Sequence, residues 1–371
     1  MEYRKLGKSD LRVSAVGLGT LAMGGGYTPV SDDAAIATIQ RAVDIGINFI
    51  DTSDNYGRGR AEERVGQAIR GRRDNLVIAT KGGTPWDEQG RIRVDCSSAA
   101  ITAAAEASLR RLGTDWIDLY QIHVPDPQTP YEETVGAVEQ LKRAGKIRYA
   151  GVSNFWHEEL ETWLAVDGVV SNQMPYNFLH RDIEAELLPY CRDQGIAVIA
   201  YTPLLMGLFG GRISPNTVFE EGDHRASYPQ FRGQALEETL ALVGRLESVA
   251  ADLGLGMAQL ALSWILARPG VTCAIPGATS PWQVEENAGA AKGALDQEAV
   301  EVVDRILVEA DVKTPRSVPM KVVEVEERAG KWIGTLEIGV KIRVPAGTEA
   351  GDVVETDIVT GNVAQASGEA T

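Results

Sequence analysis

The feature that most constrains this chain is a run of eight short apolar segments, each ending in a polar or otherwise special residue. They are "VSAVGLGT" (13–20), "NFIDTS" (48–53), "LVIATK" (76–81), "DLYQIHV" (118–124), "YAGVSN" (149–154), "VVSNQMP" (169–175), "AVIAYTP" (197–203) and "CAIPGA" (273–278). Brief, nearly continuous apolar runs suit parallel strands buried on both faces. Amphipathic stretches lie between them. "SDDAAIATIQRAVDIG" offers Ser31 as an N-cap, acids in the first turn and Gly46 as a stop. "SSAAITAAAEASLRRLG" and "TPYEETVGAVEQLKRAG" end in basic residues and a glycine, as the helix dipole favours. "GMAQLALSWILARPG" and "SPWQVEENAGAA" read as further helices.

Eight β/α units predict a (β/α)8 barrel. A doubly wound open sheet is the rival. The count of eight and the lack of a GxGxxG after the first strand favour the barrel. The opening "YRKLGKSDLRVS" reads as a hairpin that plugs the N-terminal end. In such a barrel, functional groups gather where the strands end. Asp51, Lys81, His123, Ser153, Asn154, Gln173 and Tyr201 all stand at or near strand ends. The sequence therefore predicts that they share one mouth.

The 371-residue chain carries a formal charge of −16, which argues against general binding of nucleic acid or an anionic membrane. Cys96, Cys191 and Cys273 are far apart and show no zinc or disulfide spacing, so reduced thiols and no metal are expected. No signal core or long apolar run occurs, which makes the cytoplasm the default compartment.

Asp51, Tyr56, Lys81 and His123 form a sensible chemical set. A lysine ammonium beside a tyrosine favours the phenolate and lowers its pKa. An aspartate holds the ammonium in place. The tyrosine then gives a proton to a carbonyl oxygen, and the histidine orients that oxygen.

"GLGT", "NFIDTSDNYG", "IATKGG", "LYQIH", "AGVSNF", "NQMPYN", "AYTPLLMGLFGG" and "IPGATSPWQVEEN", in that order across residues 3–310, resemble the aldo-keto reductase superfamily. The resemblance implies NAD(P)-dependent reduction of an aldehyde, ketone or sugar carbonyl, or oxidation of the alcohol. A polyol dehydrogenase using NAD and a non-enzymatic nicotinamide-binding sensor are the alternatives. By the same resemblance Tyr56 is the general acid/base, Lys81 and Asp51 tune it, and His123 orients substrate. Gly19, Thr20 and Asp51 match positions near the nicotinamide ribose. Ser153, Asn154 and Gln173 match those that hold the carboxamide, and Tyr201 the ring that stacks on it. Leu204, Met206 and Gly207 lie on the pyrophosphate loop. Gly277, Thr279, Gln283, Glu286 and Asn287 match the adenosine end. "GATSPWQ" holds no Arg or Lys, the residues relatives preferring NADP use there, so NADP(H) and NAD(H) both stay open.

Met23, Trp86, Phe155 and Arg181 are candidates for the substrate pocket. His157, His180 and His224 read as surface or loop histidines. The Gly- and Pro-rich stretch 204–234 reads as a long functional loop that clamps over the dinucleotide.

Residues 1–312 are thus expected to form the barrel. Residues 313–371 are expected to hold a Pro315/Pro319 linker, a small antiparallel β unit and a disordered "AQASGEAT" end. "GTLEIGVKIRVPAGTEAGDVVETDIVTG" faintly resembles the last β-barrel domain of translation elongation factor P, although its acidity argues against RNA. Such a small unit is marginal alone. It is expected to pack on the barrel or to join subunits into a homo-oligomer.

Overall fold

The computed structural model describes residues 1–312 apart from 26, 89, 221, 222 and 294, together with the backbone of strands 317–328, 331–336, 341–343 and 353–357. A short antiparallel hairpin comes first, β1 (Tyr3–Lys5) and β2 (Arg12–Ser14). Eight parallel strands follow: β3 (Leu18–Gly19), β4 (Phe49–Asp51), β5 (Val77–Gly82), β6 (Ile117–Ile122), β7 (Ile147–Ser153), β8 (Ser171–Pro175), β9 (Ala197–Tyr201) and β10 (Val271–Ala274). Each pairs with the next in chain order. Parallel bridges from Val16 to Ala274 and from Gly19 to Gly277 join the last strand to the first. The sheet closes on itself, which settles the fold as the (β/α)8 barrel and excludes the open sheet.

The helices are α1 (Leu21–Gly24), α2 (Asp32–Asp44), α3 (Arg60–Ala68), α4 (Ser98–Leu112), α5 (Tyr131–Arg143), α6 (His157–Leu164), α7 (Leu187–Gln194), α8 (Gly233–Asp252), α9 (Met257–Leu266), α10 (Pro281–Ala288) and α11 (Gln297–Ala310). Their local causes match the sequence. The Ser31 side chain accepts from the Ala34 amide at the start of α2, and Ser97 does the same for α4. Gly113 ends α4 in the left-handed conformation. The three cysteines are free thiols and buried.

Strand alternation sorts the core into two bodies. Ile50, Ile78, Tyr120, Ile122, Val152, Met174, Val198 and Ala274 point outward and pack under the helices. Phe49, Val77, Ala79, Leu119, Ala197, Ile199 and Cys273 fill the barrel interior. The hairpin adds Leu6, Leu11 and Val13 to that inner cluster, so it seals the N-terminal end as expected. Its turn depends on Gly7, at φ +54, where a Cβ would sit 2.2 Å from the Val170 carbonyl oxygen.

The period of two also places the polar layer. Phe49 and Asp51 share a face, as do Val77, Ala79 and Lys81 on β5, and Leu119 and Gln121 on β6. An apolar floor therefore lies beneath a charged and amide-bearing rim.

Beyond α11 the described strands are β11 (Ser317–Arg328), β12 (Lys331–Leu336), β13 (Lys341–Arg343) and β14 (Val353–Asp357). They form an antiparallel sheet in the order β13-β12-β11-β14. The linker at Pro315 and the 364–371 end lie outside the described residues. Among the described residues, no single helix is long and apolar enough to cross a membrane, and no acid–His–Cys cluster suits a metal.

Candidate active site

Lys81 is the centre of the rim. Its ammonium donates to Asp51 Oδ1 at 2.6 Å, to the Thr52 carbonyl at 2.9 Å and to Tyr56 Oη at 3.3 Å. The Lys81 and Asp51 side chains are each 1% exposed. Asp51 Oδ2 accepts from Gln173 Nε2 at 2.8 Å and Gln121 Nε2 at 3.1 Å. The buried carboxylate is thus met by one charge and two amides, as burial of a charge requires. Burial works against the Lys81 ammonium, but Asp51 and Tyr56 outweigh it and hold its pKa above the usual lysine value.

Tyr56 reaches the lysine from the loop after β4. That loop is held by a close backbone crossing. Gly57 has φ +60, and a Cβ there would lie 2.0 Å from the Gly24 carbonyl oxygen. Its own pKa corrects an expectation. Burial raises it, Lys81 pulls it back, and the net direction is up. Desolvation of the phenolate outweighs the ammonium, so Tyr56 rests as a protonated donor.

His123 follows β6, and its ring lies edge-on to Tyr56 at 6.1 Å. Burial, then the Lys81 charge, lower its pKa to about 3. It is therefore neutral across the working range. Its Nδ1 stands 3.0 Å from Thr84 Oγ1 and 3.3 Å from Ser53 Oγ. Both hydroxyls accept from Asn55, Thr84 from the side-chain amide at 3.0 Å and Ser53 from the backbone amide at 3.5 Å. The Thr84 proton is therefore available to Nδ1, which favours the tautomer with its hydrogen on Nε2.

The expected cofactor residues fall into three groups. At the rim, Thr20 Oγ1 donates to the Asp51 carbonyl at 3.0 Å, and the Gly19 amide donates to the Pro276 carbonyl at 3.0 Å. Ser153 Oγ donates to the Gln173 carbonyl at 3.0 Å. Asn154 Nδ2 donates to the His123 carbonyl at 3.0 Å, and Asn154 Oδ1 accepts from Tyr201 Oη at 2.7 Å. Gln173, matched to the carboxamide, here turns toward Asp51.

In the second group Leu205 and Met206 take φ 43 and 52 and Gly207 φ 101, next to Leu204. With Asn154 at φ 62 and Thr202 at φ 47, non-glycine left-handed residues cluster in the loops after β7 and β9. Such backbone is held at a cost of about 1–3 kcal/mol each and gathers at functional sites.

The third group opens α10. Gln283 Oε1 accepts from the Thr279 amide at 2.7 Å and hydroxyl at 3.0 Å. Ser280 Oγ is buried with no partner among the described residues. Glu286 accepts from Arg212 at 3.2 Å, the Arg212 guanidinium lies 3.6 Å from the Trp282 ring centre, and Asn287 is buried. Gly277 bridges to Gly19.

Of the expected pocket residues, Trp86 is at the mouth, 36% exposed, with Nε1 donating to the Asn55 carbonyl at 3.0 Å. The other three are corrected. Met23 is fully buried in the outer core. Phe155 is fully buried against Tyr131 and Trp163. Arg181 pairs with Glu184 at 2.7 Å and reaches Asp304 at 3.6 Å, tied toward α11. Apolar packing claims the first two and ion pairing the third. His180, read as a surface or loop residue, lies on the loop after β8 and is buried there at 4% exposure.

Among the described residues of the stretch 204–234 are 3-10 turns at Leu205–Gly210, His224–Ser227 and Pro229–Phe231. Arg225 ties it across the mouth. It pairs with Asp223 at 2.7 Å, donates to Thr28 Oγ1 at 3.2 Å and lies 5.4 Å from the Tyr27 ring centre. Sequence reasoning missed Gln121, Ser53, Thr84, Tyr27 and Arg225. A glutamine inside the apolar run "LYQIH" was the available signal for the first; the others act through contacts between distant loops.

A buried Lys–Asp pair against a tyrosine, with a neutral histidine beside it, can pass a proton to or from an oxygen at the C-terminal rim. That defines the class as a (β/α)8 acid–base enzyme. A family model described as "Aldo/keto reductase family" matches residues 15–308. The chain belongs to the aldo/keto reductase family. It is 40% identical over 289 residues to the aldo-keto reductase YhdN of Bacillus subtilis, covering 77% of this chain and 87% of that one. It is 35% identical over 328 residues to an NADH-specific methylglyoxal reductase of Escherichia coli, covering 82% and 100%. Among solved structures, a glycerol dehydrogenase of Gluconobacter oxydans superposes with a TM-score of 0.77 at 35% identity, over 84% of this chain and 96% of that one. The protein is an NAD(P)-dependent oxidoreductase of carbonyl and alcohol groups. The chain fits that cofactor: a buried Ser280 hydroxyl with no partner among the described residues opens α10, and left-handed backbone runs through Leu205 to Gly207 after β9.

Proposed function

We propose that the protein reduces a small aldehyde, ketone or sugar carbonyl with Tyr56 as the proton donor. The observation that carries this is Lys81 bridging Tyr56 Oη and Asp51 Oδ1 inside the barrel. NAD(P)H, when bound, supplies the hydride. Ser153, Asn154 and Gln173 would hold its carboxamide, Tyr201 its ring face, Leu204, Met206 and Gly207 its pyrophosphate, and Thr279, Ser280, Gln283, Glu286 and Asn287 its adenosine end. Tyr56 donates a proton to the oxygen, and Lys81 stabilises the phenolate left behind. Asp51, held by Gln121 and Gln173, keeps the ammonium on Tyr56. His123 donates from Nε2 to the same oxygen. Trp86 walls the pocket and Arg225 fastens the loop over it.

The rival reading is alcohol oxidation with NAD. It is favoured by the absence of Arg and Lys from 277–283 and by Arg212 being engaged with Trp282 and Glu286. A screen of aldehydes, ketones, sugars and polyols, following nicotinamide absorbance with all four cofactor forms, separates the two. Loss of about 10²–10⁴ in kcat is expected for Tyr56→Phe. A catalytically unchanged Tyr56→Phe refutes the assignment. Under the same proposal residues 313–371 are a separate unit that packs on the barrel or joins subunits, and the compartment is the cytoplasm. Equal solution masses per chain count, with and without the tail, would remove the joining role.

A further inference from the structure

Lys81, Asp51, Gln121 and Gln173 are sealed from water at the bottom of the rim. His123 is not a dead end. From Nδ1 the chain of hydrogen bonds runs to Ser53 Oγ at 3.3 Å, and Ser53 Oγ stands 3.2 Å from Asp54 Oδ1, so the carboxyl donates to Ser53 when it holds its proton. Asp54 lines a cavity of about 410 Å³ outside the barrel wall, with Asn55, Arg58, Trp86, Ala104 and Arg111 among its other walls. The second hydroxyl on Nδ1, Thr84, leads only to the Asn55 amide, which does not titrate. The Ser53 branch alone ends on a group that exchanges protons.

We infer that Asp54 and Ser53 are positioning residues forming a second proton route, from this cavity to the substrate oxygen through His123. The inference rests on the proposed reductase reading. A neutral imidazole releases its Nε2 hydrogen readily only if Nδ1 gains one in the same motion. When this route serves in place of Tyr56, the substrate oxygen takes the Nε2 proton. Nδ1 takes the Ser53 hydroxyl proton, and Ser53 takes the proton of the Asp54 carboxyl. One O–H bond forms on the product, and one O–H bond is lost at Asp54. The ring is neutral before and after, as opposite tautomers. Asp54 is left as a carboxylate and regains its proton from cavity water. Alcohol oxidation runs the same chain backward and needs Asp54 ionised.

The surroundings of Asp54 suit a group that changes charge near neutrality. Burial, then Glu62, raise its pKa to about 7, with Arg111 opposing. Glu62 on α3 is itself engaged by Arg111 of α4 at 2.6 Å and by Thr80 of β5 at 2.6 Å. Arg58 and Asp95 stand on the cavity wall, and Tyr56 and Tyr120 are the titratable phenols that sense Asp54.

The test uses the full chain labelled with 15N-histidine, with no cofactor, so it reads the relay whether or not the reductase reading holds. His123 resonances are assigned by their loss in His123→Asn. Between pH 5.5 and 8.5 they are expected to move with a midpoint near 7 while staying in the neutral-imidazole range. Ser53→Ala and Asp54→Asn should each abolish the movement; Ser53→Ala cuts the chain without touching the carboxyl, which guards against misfolding in the other variant. In turnover, where Tyr56→Phe leaves this route alone, adding Asp54→Asn should slow the residual reduction about tenfold below pH 7 and the residual alcohol oxidation above it. Resonances that stay constant, or that move alike in both variants, overturn the route. Absence of turnover on the whole substrate panel overturns the reductase reading instead.

Discussion

Replacing Lys81 with methionine tests the rim as an electrostatic object. The change keeps the stem and removes the charge that meets Asp51 at 2.6 Å. Breaking a buried pair from one side costs about 3–5 kcal/mol, because the remaining charge is stranded. Asp51 keeps its two amide donors, Gln121 and Gln173, which soften the loss. The expected destabilisation is therefore about 3–4 kcal/mol. Urea unfolding at pH 7, followed by fluorescence, measures it. Adding Asp51→Asn should recover part of the loss, giving a large coupling in the double-mutant cycle. A loss below about 1 kcal/mol, or a double variant no more stable than Lys81→Met alone, refutes the idea that the ammonium is what compensates the buried carboxylate.

Other outcomes are equally concrete. Gly57→Ala forces a Cβ to within 2.0 Å of the Gly24 carbonyl oxygen, so Tyr56 must shift, and kcat should fall about 10²-fold while cofactor titration by fluorescence changes little. Asp54 has a folded pKa raised to about 7, so its contribution to stability declines as pH climbs from about 4 to 7. Asp54→Asn should therefore raise the unfolding midpoint at pH 8 and leave it nearly unchanged at pH 4. Arg225→Ala removes the tie to Asp223 and Thr28 and should speed cofactor release in stopped-flow displacement; an unchanged release rate would rule out a fastening role.

Much of the fold was legible because its signal is local. Strand length, apolar continuity and helix caps such as Ser31 and Gly113 are written in adjacent residues. The meeting of Asp51, Lys81 and Gln173 was legible for the same reason, since a strand end marks the mouth whatever the loops do. Met23, Phe155 and Arg181 were misjudged because residues near a mouth in sequence can face either way, and only packing decides. Phe155 met Tyr131 and Trp163, and Arg181 met Glu184 and Asp304. The Tyr56 pKa was misjudged because the sequence names the lysine but not the degree of burial. Gln121 was visible as a polar residue in a buried strand, whereas the link from Thr84 to His123 spans 39 positions and had no signature.

The hairpin at the far end has a consequence for folding. Leu6, Leu11 and Val13 share one buried cluster with Phe49, Leu119, Ile199 and Cys273, which come from strands spread along the whole sheet. The first residues of the chain are therefore sheltered only once strands far along it are in place.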